Sequence, residues 1–361
     1  MRILTVDVGT GTQDILLFDS SGPVENSLQL IMPAPTQIVA KRIRAATAAR
    51  RPVVLSGVMM GGGPCQWAAN DHMAAGLPLY ATPDAARTFN DDLEAVQRDG
   101  VQLVSDDEAA AMRDAGQVIM RDLDLGAINT ALGAFGVDTN YDALAVAVFD
   151  HGNAPPDISD RVFRFNYLAE RFATRRGLLS LGFRREDVPA EMTRLLAVAQ
   201  TAPDDMPLLL MDTAPAAVLG ALDDPHVAAQ HDLVVANIGN FHCLAFHMVD
   251  GAIAGCFEHH TGELTLPQLQ GFLERLGQGS ITNEEVYTSM GHGALVLQPT
   301  PGALPQLAVT GPRRAMIRGS HLQPYFAVPH GDMMIAGCFG LLRAYAANYP
   351  ESAEDINAAL G

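Results

Sequence analysis

The chain has 361 residues, 48% of them hydrophobic and 18% charged, which is long enough for two domains sharing a buried interface and too apolar for disorder. Lys+Arg 23 against Asp+Glu 41 gives a formal charge of -18, a field that repels phosphate backbones and anionic membranes and excludes nucleic acid and membrane surfaces as expected partners. Lys41, the sole lysine, follows no glycine-rich loop, which excludes a Walker-type P-loop and a pyridoxal-phosphate Schiff base.

The first predicted elements form a hairpin: residues 3–8 alternate and are β-branched, Gly9-Thr10-Gly11-Thr12 turns, and residues 15–18 return. A third strand is predicted over 27–32, a helix over 36–50, and a buried strand over 53–59 that ends in Gly61-Gly62-Gly63-Pro64. The stretch 65–121 reads as mostly helical with a short strand near 101–104. Residues 142–149 form another buried strand, ending in Asp150-His151-Gly152. A basic surface helix is expected over 161–176, a helix over 191–200, a strand over 208–211 and a small-residue helix over 216–222. The opening pattern then recurs, with a strand over 233–238, a turn at Gly239-Asn240-Phe241 and a return over 242–248. Asp250-Gly251 is a strong hairpin signal leading into 252–257. A helix over 266–276, a capping box of Thr282 with Glu285, a strand over 307–310, a turn at Gly311-Pro312 and a helix over 333–349 complete the chain.

Four cysteines, Cys65, Cys243, Cys256 and Cys338, form no CxxC pair and no zinc or iron–sulfur spacing, and read as buried thiols of a reducing cytosol. Met1-Arg2 runs straight into a strand-like segment interrupted by Asp7, unlike a signal peptide. The longest apolar run, 333–342, is too short to span a bilayer, so a cytoplasmic protein is expected.

Two strand–glycine turn–strand units, one per half, point to an internal duplication of α/β lobes. In order and content they resemble the superfamily of actin, sugar and acetate kinases and heat-shock chaperone ATPases. Asp7-Val8-Gly9-Thr10-Gly11-Thr12 resembles its first phosphate motif, and Asn237-Ile238-Gly239-Asn240 its second. The 211–220 segment resembles the first connecting helix, Val309-Thr310-Gly311-Pro312 the adenosine turn, and the 337–342 segment the second connecting helix. More narrowly, the sequence is similar to a prokaryotic family labelled pyruvate formate-lyase activating enzyme. A radical enzyme of that kind needs a CxxxCxxC cluster site, which these cysteines do not supply.

The resemblance implies a two-lobed, duplicated ribonuclease H-like fold. Lobe I would span 1–230 with a largely helical insertion near 60–130, lobe II 231–330, and the C-terminal helix of 331–361 would return to the lobe interface. It implies ATP with magnesium as cofactors: Gly9, Thr10, Gly11, Thr12, Gln13, Gly239 and Asn240 around the phosphates, Gly311 and Pro312 at the adenosine, and Asp7 and Asn237 at the metal. Gly and Thr turns suit phosphate because they expose backbone N–H groups and small hydroxyls to one concavity. Asn237 stands where a carboxylate is usual; an amide neither neutralises a cation nor takes a proton, which weighs against hydrolysis more than against binding. Ala217 with Gly220, and Gly337 with Gly340, place small residues one turn apart on two helices, the spacing for a close crossing at a hinge.

Each candidate has a structural alternative. Asp212 is either a general base toward the γ-phosphate or a helix N-cap, with sequence position favouring the cap. His151 is either an acid/base facing substrate at a strand end or a structural histidine with a carboxylate partner. The glycine run at 61–63 is either an anion-binding nest or a loop that lets Trp67 pack, and Arg161, Arg164, Arg171, Arg175 and Arg176 read as a solvated helix face rather than an acidic-ligand site. Adjacent His259 and His260 point apart on an extended chain, so one metal site seldom uses both. Three functions follow: an ATP-dependent kinase or ATPase acting on a small acceptor, with Asp7, Asp212 and His151 in catalysis; a non-catalytic nucleotide-dependent switch or assembly protein; or a metal hydrolase using His151, His259 and His260.

Overall fold

The computed structural model describes residues 1–299, 302 and 304–361. The chain opens with a meander of β1 (Arg2–Val8), β2 (Thr12–Asp19) and β3 (Leu28–Pro33). Both faces of β1 and β2 are buried, which explains their near-continuous apolar sequence. The helix Pro35–Ala48 then leads into β4 (Val53–Gly57), β5 (Leu79–Ala81), β6 (Gln102–Leu103) and β7 (Gly116–Met120). These four make their own parallel sheet in the order β6-β5-β4-β7, with a separate core that includes Leu55, Leu79 and Val118.

The expectation of a largely helical insertion near 60–130 is therefore corrected. The inserted unit is α/β, its sheet begins with β4 at residue 53, and helices such as Pro64–Ala74 pack around it. Strands of three, two and five residues are too short to carry a visible period, so the intervening helices dominate the sequence pattern.

The chain returns to the first sheet with β8 (Ala143–Val148), β9 (Gly182–Arg184) and β10 (Leu208–Asp212), giving the order β3-β2-β1-β8-β10-β9. Only β2 and β9 run against the others: β2 is antiparallel to β1 and β3, and β9 to β10, while β1, β8 and β10 are parallel. The remaining strands, β11 (Asp232–Ile238), β12 (His242–Val249), β13 (Ala252–His260), β14 (Gly293–Val296), β15 (Gln306–Thr310) and β16 (Tyr325–Phe326), form the second sheet, in the order β14-β13-β12-β11-β15-β16. The run β13-β12-β11-β15-β16 repeats β3-β2-β1-β8-β10 strand for strand, with β12 antiparallel to β11 and β15 parallel to it. The duplication read from the two turns is thus a duplication of topology.

Two helices join the halves. Thr213–Ala221 follows β10 and Ala336–Asn348 lies near the C-terminus; both are almost wholly buried. A Cβ on Gly220 would overlap the backbone carbonyl of Ala336, and one on Gly340 would overlap that of Ala216, so the crossing exists only with glycine at both positions. Gly337 has another reason to be glycine: its missing Cβ makes room for the Asp7 carboxylate, while Ala217 faces the cleft. Among the described residues no helix is long and apolar enough to cross a membrane.

Candidate functional site

The two hairpin turns are equivalent at the level of single hydrogen bonds. Gly9 N–H donates to Thr12 O at 2.9 Å, and Gly239 N–H donates to His242 O at 2.9 Å. Those two amides are consumed inside the turns, so Thr10 and Asn240 at the tips, with Thr12, are the groups presented to the cleft. The turns approach each other closely: a Cβ on Gly11 would lie 2.6 Å from Asn240 Nδ2. Both border one cavity of about 1180 Å³ that also reaches Asp7, Asp14, Asn237, Thr310, Gly311 and Pro312.

In the first hairpin Asp7 pairs directly with Asp14, so the two carboxylates share a face. Both are buried. Burial, then Asp14 and Asp212, push Asp7 up to about 8, although its oxygen accepts a 2.5 Å hydrogen bond from Thr213 Oγ1. Burial and Asp332 push Asp14 up to about 7, and Asp14 Oδ1 is buried with no hydrogen-bond partner. A pair of hard oxygen donors, one of them orphaned, fits a magnesium ion. Gln13 does not join them: alternation along β2 turns it away, and its Nε2 donates to Pro33 O at 3.0 Å, so its placement at the phosphates is corrected.

The second hairpin keeps the geometry and loses the acids. Asn237 stands in the place of Asp7 and its strand partner is Leu244, where the first hairpin has Asp14. A Cβ on Gly311 (φ +97°) would strike Asn237 Oδ1, so glycine there lets the 311–312 turn lie against the strand.

Asp212 is an N-cap: one oxygen accepts from Ala214 N at 3.1 Å. The other is 2.8 Å from Arg164 Nη1, so both are engaged, and Asp212 does not border the cavity. This geometry weighs against a free general base at that position. Arg164 also contacts Glu258 and the Asp150 carbonyl and lies 4.4 Å over the Phe149 ring. It is the centre of a buried ionic network, not part of a solvated helix face, which corrects that reading for one of the five arginines. The signal was available: Arg164 is four residues before Leu168 and adjacent to Phe165, on the apolar stripe of the helix Asp160–Thr174.

Asp150 uses its carboxylate on the amides of Gly152 and Leu195, so it is not the partner of His151. Burial, with Arg164 and Arg194 nearby, presses the His151 imidazole down to about 3, leaving it neutral and weakly basic. Its ring lies parallel to that of His292 at 6.2 Å. Next to it, His242, His260 and His292 bring one nitrogen each to within 4.8 Å of one another. His259 is excluded from this group: it faces the other side of β13, its ring bonded to Ser289. The histidine cluster expected from His151, His259 and His260 is therefore rebuilt around His242, His260 and His292.

The glycine run borders the cavity with its first amide already engaged. Gly61 N–H points at the Asp122 carboxylate, which Arg194 holds at 2.7 Å, and Thr36 Oγ1 donates to Gly62 O at 2.5 Å. Trp67, beyond it, packs against Phe241 of the second turn, with ring centroids 5.5 Å apart and planes tilted by 34°. All four cysteines are buried and unpaired.

A duplicated sheet of this strand order, with two facing glycine turns and a close helix crossing, defines the two-lobed actin-like ATPase and sugar kinase fold. Residues 60–316 match the family described as "Putative pyruvate format-lyase activating enzyme (DUF1786)", and the chain belongs to that family. No curated protein sequence matches it. Among solved structures it is similar to "Lmo2764 protein, a putative N-acetylmannosamine kinase, from Listeria monocytogenes" (10% identity, TM-score 0.37, covering 96% of this chain and 99% of that one). It is also similar to a ROK hexokinase from Thermus thermophilus (13%, TM-score 0.31, 97% and 100%) and to the ethanolamine utilization protein EutJ from Carboxydothermus hydrogenoformans (11%, TM-score 0.31, 94% and 89%). The strand order and the turns, not these distant likenesses, carry the fold assignment.

Proposed function

We propose that the cleft binds a nucleoside triphosphate with magnesium and that the protein is a phosphotransferase or ATPase acting on a small-molecule acceptor. The observation that carries this reading is the pair of turns, each closed by the same glycine N–H bond on equivalent strands and opening on one cavity. Thr10, Thr12 and Asn240 would face the phosphates, and Gly311 and Pro312 the nucleoside. Asp7 and Asp14 would hold the magnesium through its water shell, where the ion would neutralise phosphate charge. Thr213 and Gly337 keep the Asp7 carboxylate in position, the first by its hydrogen bond and the second by leaving space.

Calorimetry with ADP and ATP, each with Mg²⁺, tests the proposal on the wild type and on Asp7→Asn. Binding by the wild type that weakens at least about tenfold in the variant, or by 1.4 kcal/mol or more, is expected. No binding by the wild type overturns it. The switch reading has its own support in the missing acids at Asn237 and Leu244; saturable binding with no phosphate release would favour it.

A further inference from the structure

The second hairpin has lost two carboxylate positions and gained imidazoles. His242 occupies the place of Thr12 in the first turn, as the residue whose carbonyl closes the glycine N–H bond. From this and from the grouping of donors we infer that His242, His260 and His292 bind a divalent transition metal of the zinc class, with a remaining coordination position open to the cleft. Their donor nitrogens lie within 4.8 Å of one another, and a bound ion would draw them in toward the roughly 3.4 Å separation of a tetrahedral site with 2.0–2.1 Å bonds. His242 and His260 border the cavity while His292 is buried behind them, so an oxygen atom of a molecule in the cleft would have access to the ion.

The surroundings are those of a ligating set. His242 is held flat on Phe149, with ring centroids 4.1 Å apart and planes 11° apart. Glu258 Oε1 lies 3.5 Å from His292 Nδ1, and both atoms are buried with no hydrogen-bond partner. A metal drawing on the His292 ring would tighten that contact into the carboxylate–histidine pairing that orients ligating imidazoles. Three imidazoles select zinc, cobalt or nickel over magnesium, which prefers oxygen. The site is thus chemically distinct from the Asp7–Asp14 pair and does not depend on nucleotide binding.

The full-length protein, stripped with a chelator, is titrated with Co²⁺ and Zn²⁺, following the visible Co²⁺ spectrum and metal content after dialysis. One equivalent per chain with a tetrahedral or five-coordinate Co²⁺ spectrum is expected, displaced by Zn²⁺ and unaffected by Asp7→Asn. His260→Asn should weaken uptake by more than the roughly 10–100-fold typical of an outer-shell loss. If circular dichroism shows that variant unfolded, His242→Asn decides in its place. No stoichiometric uptake by the wild type, uptake indifferent to the histidine substitution, or an octahedral spectrum lost in Asp7→Asn would each overturn the inference.

Discussion

Asp7 and Asp14 are held against each other by the β1–β2 register, and both bind a proton more tightly in the folded protein than their ordinary value of 3.8 allows. The sign of the consequence follows from linkage. Between the unfolded value and about 7 for Asp14 or about 8 for Asp7, the folded state carries more protons than the unfolded chain. Stability of the metal-free protein therefore falls as pH rises through that window, by an amount on the order of a few kcal/mol. Asp7→Asn removes the larger part of the burden, so the variant should be more stable than the wild type at pH 9 and close to it at pH 5. Urea unfolding at both values, with divalent ions chelated, measures this. A wild type that gains stability over the same rise in pH, relative to Asp7→Asn, would show that the pair is not strained by charge. The same substitution should cost nucleotide binding, so stability and function oppose each other at this residue.

The helices Thr213–Ala221 and Ala336–Asn348 meet where Gly220 and Gly340 face backbone rather than side chain. A backbone carbonyl has no rotamer with which to retreat, so Gly220→Ala or Gly340→Ala must separate the helices. A loss of about 1–3 kcal/mol or more is expected in thermal or urea unfolding. Gly133→Ala is the control: it lies in the helix Leu125–Ala134 with nothing within 4 Å of an added Cβ, and should be neutral or stabilising by up to about 1 kcal/mol. Equal losses at 133 and 340 would mean that the crossing is not tight. The crossing and both hairpins were legible in the sequence because glycine and threonine interrupt β-branched runs and small residues recur at one-turn spacing. The histidine cluster was not, and the reason is one residue. The hairpin pairs Val249 with Ala252 and Met248 with Ile253, a register that would set His242 opposite His259; a bulge after His247 shifts it, so His242 faces His260. A shift of one exchanges the faces of a strand, and no turn signal announces it. His292 joins from a loop more than thirty residues on, which no spacing rule reaches.

At the scale of the whole molecule, the two glycine turns meet at the cleft. Gly11 faces the Asn240 carboxamide, and the neighbouring Phe241 packs at a tilt on Trp67 of the inserted unit. A polyphosphate between the turns requires them to part, and Phe241 must move with Asn240 because the two are adjacent in one tight turn. Trp67 is the only tryptophan of the chain and is already 53% exposed. Its tilted ring contact with Phe241 is the one that separation would remove. Intrinsic fluorescence excited at tryptophan should therefore shift to longer wavelength on addition of nucleotide with Mg²⁺, saturating with the affinity found by calorimetry. Phe241→Ala should start at the longer wavelength and respond little, while Trp67→Phe should abolish the signal and leave binding within about tenfold of the wild type, since a single exposed aromatic contact is worth about 0.5–1.5 kcal/mol at most. Nucleotide binding with no spectral change would place the ligand without parting the turns. The inserted α/β unit would then be a fixed wall of the cavity rather than an arm that opens with the lobes.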